Sequence, residues 1–113
     1  MVILRILALA GALAACGSAL AEPSVNEYRG QTAGAKNAGE VWLDGAANGY
    51  AWANAQLASQ GRAKLYCQPS QTTISHDEAM RIYSEYVERH PEMGDKPMGA
   101  VMLFALEDKF PCV

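Results

Sequence analysis

The sequence predicts an all-α fold: a small helical domain of three main helices closed by one disulfide. Three observations carry that expectation. Apolar residues recur at intervals of three and four in three separate stretches, each bounded by residues that start or stop helices. No segment alternates polar and apolar residues long enough to make more than a short extended connector. And once an N-terminal leader is set aside, two cysteines remain, an even number in a short chain.

The leader is the stretch MVILRILALAGALAACGSALA, residues 1–21. It has a short n-region with one positive charge at Arg5, an apolar run from Ile6 to Ala15, and Ala19-Leu20-Ala21 as a small-x-small cleavage pattern. The apolar run is shorter than the roughly 20 residues that span a bilayer, so the segment reads as an export signal removed before Glu22. A second version fits the same residues: Leu13-Ala14-Ala15-Cys16 followed by Gly17 has the form of a lipobox, which would make Cys16 a lipidated first residue and tether the protein to a membrane. Both versions predict a domain over residues 22–113 in an oxidising compartment such as the periplasm, soluble or lipid-anchored, with Cys67 and Cys112 as its two remaining thiols. Pairing of those two follows from their number and the compartment.

Without Arg5 the exported part has eight Lys and Arg against twelve Asp and Glu, a net charge of −4. The charges are scattered singly. There is no basic stripe for nucleic acid and no cationic cluster for anionic lipid.

The elements follow in order. Glu22 to Lys36 is polar and Gly-rich without a sustained period, which predicts a partly ordered lead-in arm. Asn37, with Glu40 three residues on, suits a helix start. Leu43, Ala46, Tyr50, Ala53 and Leu57 then supply an apolar face, and Gly61 a C′ stop. Gly45 and Gly49 inside this helix cost about 1 kcal/mol each relative to alanine, so they predict either a close tertiary contact or a break near Gly49. Pro69 keeps the connector Leu65-Tyr66-Cys67 extended. Ser75-His76-Asp77-Glu78 is a capping box flanked by Ile74 and Ala79 as a hydrophobic staple. Ala79, Ile82, Tyr83, Tyr86 and Val87 form the buried face of the second helix, which Pro91 ends near His90. Pro91 to Lys96 reads as a loop. Pro97 opens the third helix, whose apolar residues are Val101, Met102, Ala105, Leu106 and Phe110, and Pro111 stops it.

Catalytic and metal-binding chemistry finds little support. His76 and His90 stand at opposite ends of one helix, fourteen residues apart, and cannot share a metal locally. A disulfide consumes the only candidate thiol nucleophile, Cys67. Asp77 and Glu78 diverge around the helix and are explained by its N-terminal dipole. With no phosphate-binding loop and no nucleophile elbow, the sequence points away from an enzyme and implies no cofactor. The aromatic residues remain. Trp42 and Trp52 project in directions about 80° apart on the first helix, so one of them is a candidate exposed anchor for a protein partner.

Three stretches together resemble one family. They are WLDGAANGYAWANAQLASQGRAKLYCQP, with its Cys67-x-Pro69 turn; Glu88-Arg89-His90-Pro91-Glu92; and AVMLFALEDKFPC, which ends at Cys112. They resemble the Rap/Tai family of type VI secretion immunity proteins. The resemblance implies a small, helical, disulfide-linked periplasmic inhibitor that binds a peptidoglycan amidase effector, occludes its active site, needs no cofactor and forms a homodimer. No motif assigns the contact residues. On physical grounds the candidates are Trp42 and the charged, Pro-bounded segment before the third helix, with Glu92, Asp95, Lys96 and Met93 as its apolar tip. The alternative reading is a periplasmic chaperone or envelope interaction module without a dedicated effector.

Overall fold

A computed structural model describes residues 22–69 and 73–113. The predicted leader, its cleavage site and Cys16 lie outside the described residues. Four α-helices and one 3₁₀ turn follow in order: α1 (Val25–Arg29), α2 (Ala33–Ser59), α3 (His76–Arg89), the 3₁₀ turn Pro91–Asp95, and α4 (Met98–Lys109). Among the described residues there is no β-strand, only an isolated antiparallel bridge between Ser24 and Pro97. The three long helices are those the sequence predicts.

The N-terminal arm departs from expectation. Ser24 accepts a hydrogen bond from the Glu27 N–H at 3.2 Å and the Glu27 carboxylate accepts one from the Ser24 N–H at 3.1 Å, a complete capping box that opens α1. Thr32 then caps α2, accepting from the Ala35 N–H at 3.4 Å. The first long helix therefore starts one turn before Asn37, because the Thr32 hydroxyl is placed to satisfy a free helical N–H and Ala33, Ala35 and Lys36 after it favour the helix. The arm also finds backbone partners that spare it the cost of disorder: the Val25 N–H donates to the Lys96 carbonyl (3.0 Å) and the Met98 N–H to the Pro23 carbonyl (3.1 Å).

At its far end α2 stops as predicted. Gly61 adopts φ +66°, the Gly61 N–H donates to the Ala58 carbonyl (3.0 Å) and the Arg62 N–H to the Leu57 carbonyl (2.9 Å), which is a Schellman closure. Neither expectation attached to Gly45 and Gly49 holds. The helix runs unbroken through both, and a Cβ at either would meet nothing within 4 Å.

The core lies where α4 packs against both α2 and α3. Met98, Val101, Met102, Ala105 and Leu106 are buried on α4, and Ala79, Ile82, Tyr83, Tyr86 and Val87 on α3, the face read from the sequence. α2 contributes less: Leu43 is fully buried, while Ala47 and Tyr50 pack at the margin. Val25 from α1 and Tyr66 from the connector, each 1 % exposed, fill the remaining space. Cys67 and Cys112 are bonded, with Cα atoms 5.0 Å apart, and the Cys67 N–H donates to the Phe110 carbonyl at 2.8 Å. The end of α4 is thereby fastened to the connector.

Candidate functional site

The structure gathers several exposed or half-exposed groups around the start of α4. Pro97 has no side chain to cap that helix; the cap comes from the other end of the described chain, where the Glu22 carboxylate accepts from the Gly99 N–H at 3.2 Å. The Tyr50 hydroxyl donates to the Gly99 carbonyl at 2.7 Å. Burial, with the Glu22 carboxylate adding to it, pushes the Tyr50 phenol pKa up. Gly99 is buried against the Trp42 indole, and a Cβ there would collide with both that ring and the Glu22 carboxylate. Three elements, the arm, α2 and α4, are thus fixed at one backbone position.

Trp42 is 44 % exposed. It forms one wall of a mostly apolar groove of about 280 Å³, with Pro23, Ala38, Gly39 and Met98 among the other walls. A side chain from another protein fits a groove of that size and character, and the indole would contribute the area and rigidity typical of binding hot spots.

The other predicted contact residues sit in the 3₁₀ turn just before α4. The segment is ordered by its neighbours: Pro91 starts the turn, and Gly94 lies so close to Asn26 of α1 that a Cβ would strike its amide. Glu92 is exposed and bonded to His90 Nδ1 at 3.0 Å, and backbone and His90 hydrogen bonds hold its carboxyl below the usual range. His90 itself stacks on Tyr86 with ring centroids 4.2 Å apart. Asp95 and Lys96 are exposed and form a loose ion pair at 3.9 Å. Met93 is placed differently from the sequence reading: it is half-buried and packs on the core, because the 3₁₀ turn directs it inward, so it is not an apolar tip. Trp42 and the turn adjoin the same helix start, Trp42 through Met98 and Gly99 and the turn through Lys96 and Pro97.

Two further features were not read from the sequence. Asn54, buried at 8 % exposure, donates to the Tyr66 carbonyl at 2.9 Å and accepts from the Leu65 N–H at 2.7 Å, holding the connector on α2. Nothing in its local sequence marks it, since its partners lie eleven and twelve residues away. His76 stands between two α2 carboxylates, 3.8 Å from Glu40 and 3.5 Å from Asp44, each through a different ring nitrogen. That is an interhelical contact, and no group of three or more potential metal ligands occurs among the described residues.

Buried phenols mark the interior. Tyr83 meets Tyr28 edge to face with centroids 6.2 Å apart, and burial is the main cause that pushes its pKa up to about 12. Among the described residues no helix is long and apolar enough to cross a membrane.

Comparison with curated proteins and with solved structures finds no match. Comparison with protein families does: the family described as Rap1a immunity proteins matches residues 10–112. That span takes in all three stretches on which the resemblance was noted, the disulfide and the groove beside Trp42. The chain belongs to the family of Rap1a immunity proteins.

Proposed function

We propose that the protein is an exported immunity protein that binds a peptidoglycan amidase effector and blocks its active site by occupying the cleft. Family membership is the observation that carries this reading. The chemistry of the surface agrees with it. The exposed groups near the start of α4 have the chemistry of a binding surface: an indole beside an apolar groove, and the charged side chains of Asp95, Lys96 and Glu92 on the turn that precedes the helix. Steric occlusion requires rigidity more than reactive groups, and the backbone bonds from the arm and the Glu22 cap hold this surface in place before any partner arrives.

Localisation follows from the same reading. An amidase that cuts peptidoglycan acts outside the cytoplasm, so its inhibitor has to be exported, which is the role assigned to the leader. Type VI secretion supplies the effector in this account, delivered by sibling cells.

The experiment is co-expression with each peptidoglycan amidase effector found in the same genome, both proteins directed to the periplasm. Cells that express the amidase alone should lyse, and co-expression should restore growth and give a complex that co-purifies. Trp42→Ala should weaken that complex at least tenfold, the loss of a mid-sized hot spot at about 2 kcal/mol. Growth that the protein does not restore, with no complex formed, would sink the proposal.

A further inference from the structure

Between α1 and α3 lies a cavity of about 180 Å³ that shares no wall with the groove beside Trp42. The two helices meet there through the edge-to-face rings of Tyr28 and Tyr83, and the space beside that ring pair stays open. Val25 and Val87 give it an apolar wall, and Arg29 and Glu88 bring one charge of each sign.

Three of these groups have no use inside the chain. Tyr83 is 4 % exposed, and its buried hydroxyl has no hydrogen-bond partner among the described residues. A buried hydroxyl left in that state is a net cost to folding, so its presence calls for a reason. After burial, which is the main cause, Tyr28 and Arg29 are the groups that act on the Tyr83 phenol; both are walls of the cavity, so the oxygen lies toward it. Arg29 on α1 and Glu88 on α3 are exposed, and among the described residues neither joins an ion pair.

We propose that this cavity binds a small α-amino acid in its zwitterionic form. Arg29 takes the carboxylate through its planar fork of N–H donors, and the Tyr83 hydroxyl donates to the same group. Glu88 takes the ammonium, and Val25 and Val87 contact the side chain. The two charges decide the class of ligand. A simple anion is attracted by Arg29 and repelled by Glu88, and a simple cation meets the reverse, whereas a molecule that carries both charges is attracted twice. Volume limits its size: 180 Å³ holds about six water-sized groups, as many as alanine has non-hydrogen atoms. Both charged side chains face water and so few atoms gain little in total, which makes binding weak, with a dissociation constant of about 1 mM.

Titration of L-alanine to about 50 mM into the purified, oxidised protein, followed by amide NMR, tests this site. Saturable shifts are expected in Val25–Arg29 and Tyr83–Glu88. Propionate and ethylamine each carry one of the two charges and should bind at least tenfold more weakly. Arg29→Gln and Tyr83→Phe should each weaken alanine binding at least tenfold. Tyr83→Phe keeps the packed ring and removes only the unpartnered hydroxyl, so its melting temperature should be unchanged or raised, which separates lost binding from lost folding. Absence of saturable shifts across the range overturns the proposal. So does propionate binding as tightly as alanine, or alanine binding that folded Tyr83→Phe leaves unchanged.

Discussion

Replacing Asn54 with alanine would detach the connector from α2, and the structure gives the size of the effect. Two hydrogen bonds disappear, one from the amide to the Tyr66 carbonyl and one to the amide from the Leu65 N–H. Tyr66 is buried against α2 while Leu65 is partly exposed, and a stranded buried group costs about 1–3 kcal/mol. Partial access of water to Leu65 brings the sum to about 2–4 kcal/mol, a large share of the 5–15 kcal/mol typical of a domain this size. Melting should fall by about 10–20 °C. Chemical denaturation measures the free energy, and amide exchange at Leu65 measures the bond directly. Asn54→Asp separates the two bonds: it can still accept from Leu65 but sets a carboxylate oxygen against the Tyr66 carbonyl. It should be at least as unstable as the alanine variant at neutral pH and recover in acid, where the protonated carboxyl donates again. A loss below about 0.5 kcal/mol for Asn54→Ala, with unchanged exchange at Leu65, would refute the clamp.

Three further outcomes are expected. Cys112→Ser opens a loop with a sequence separation of 45 and should destabilise the fold by about 4 kcal/mol in the chain-entropy model, measured by thermal melting; melting equal to that of the parent would contradict a structural role for the bridge. Gly99→Ala should cost about 1–3 kcal/mol by displacing the Trp42 ring and the Glu22 cap, and should shift tryptophan emission to the red as Trp42 moves into water. At alkaline pH the sign is set by Tyr83, whose pKa rises from an ordinary 10 to about 12 on folding: its contribution is intact below pH 10 and is lost as pH rises through 12, because the unfolded chain ionises first. That amounts to about 2–3 kcal/mol over the whole interval, about half of it between pH 9 and pH 11, and denaturation at those two pH values should show a difference of about 1.4 kcal/mol that Tyr83→Phe reduces.

The fold was most legible where one helix carries its own signals. α3 has its cap, its five-residue buried face and its proline stop within one continuous stretch, and each is found where the pattern places it. α2 was less legible, because it is exposed over most of its length and only Leu43 of its predicted face is fully buried, which blurs the period. The arm is more ordered than its sequence suggests for a related reason. Its order depends on backbone bonds to Lys96 and Pro23–Met98, contacts far apart in sequence that no local pattern announces.

The glycines make the same point in reverse. Gly45 and Gly49 drew notice by their spacing yet face open space, whereas Gly39 against Tyr28, Gly94 against Asn26 and Gly99 against Trp42 are the positions without room for a side chain. For the binding surface, the sequence supplied Trp42 and the charged turn as separate candidates. Their common attachment to the start of α4, and the Glu22 cap that fixes it, became visible only in three dimensions.

Inhibition of an amidase is the most direct measure of the proposed function. The purified protein should be titrated into each candidate peptidoglycan amidase effector from the same genome, with hydrolysis of cell-wall peptide followed as protein is added. Stoichiometric loss of amidase activity is expected, with Trp42→Ala requiring at least tenfold more protein for the same effect. Full amidase activity in the presence of excess folded, oxidised protein would contradict it.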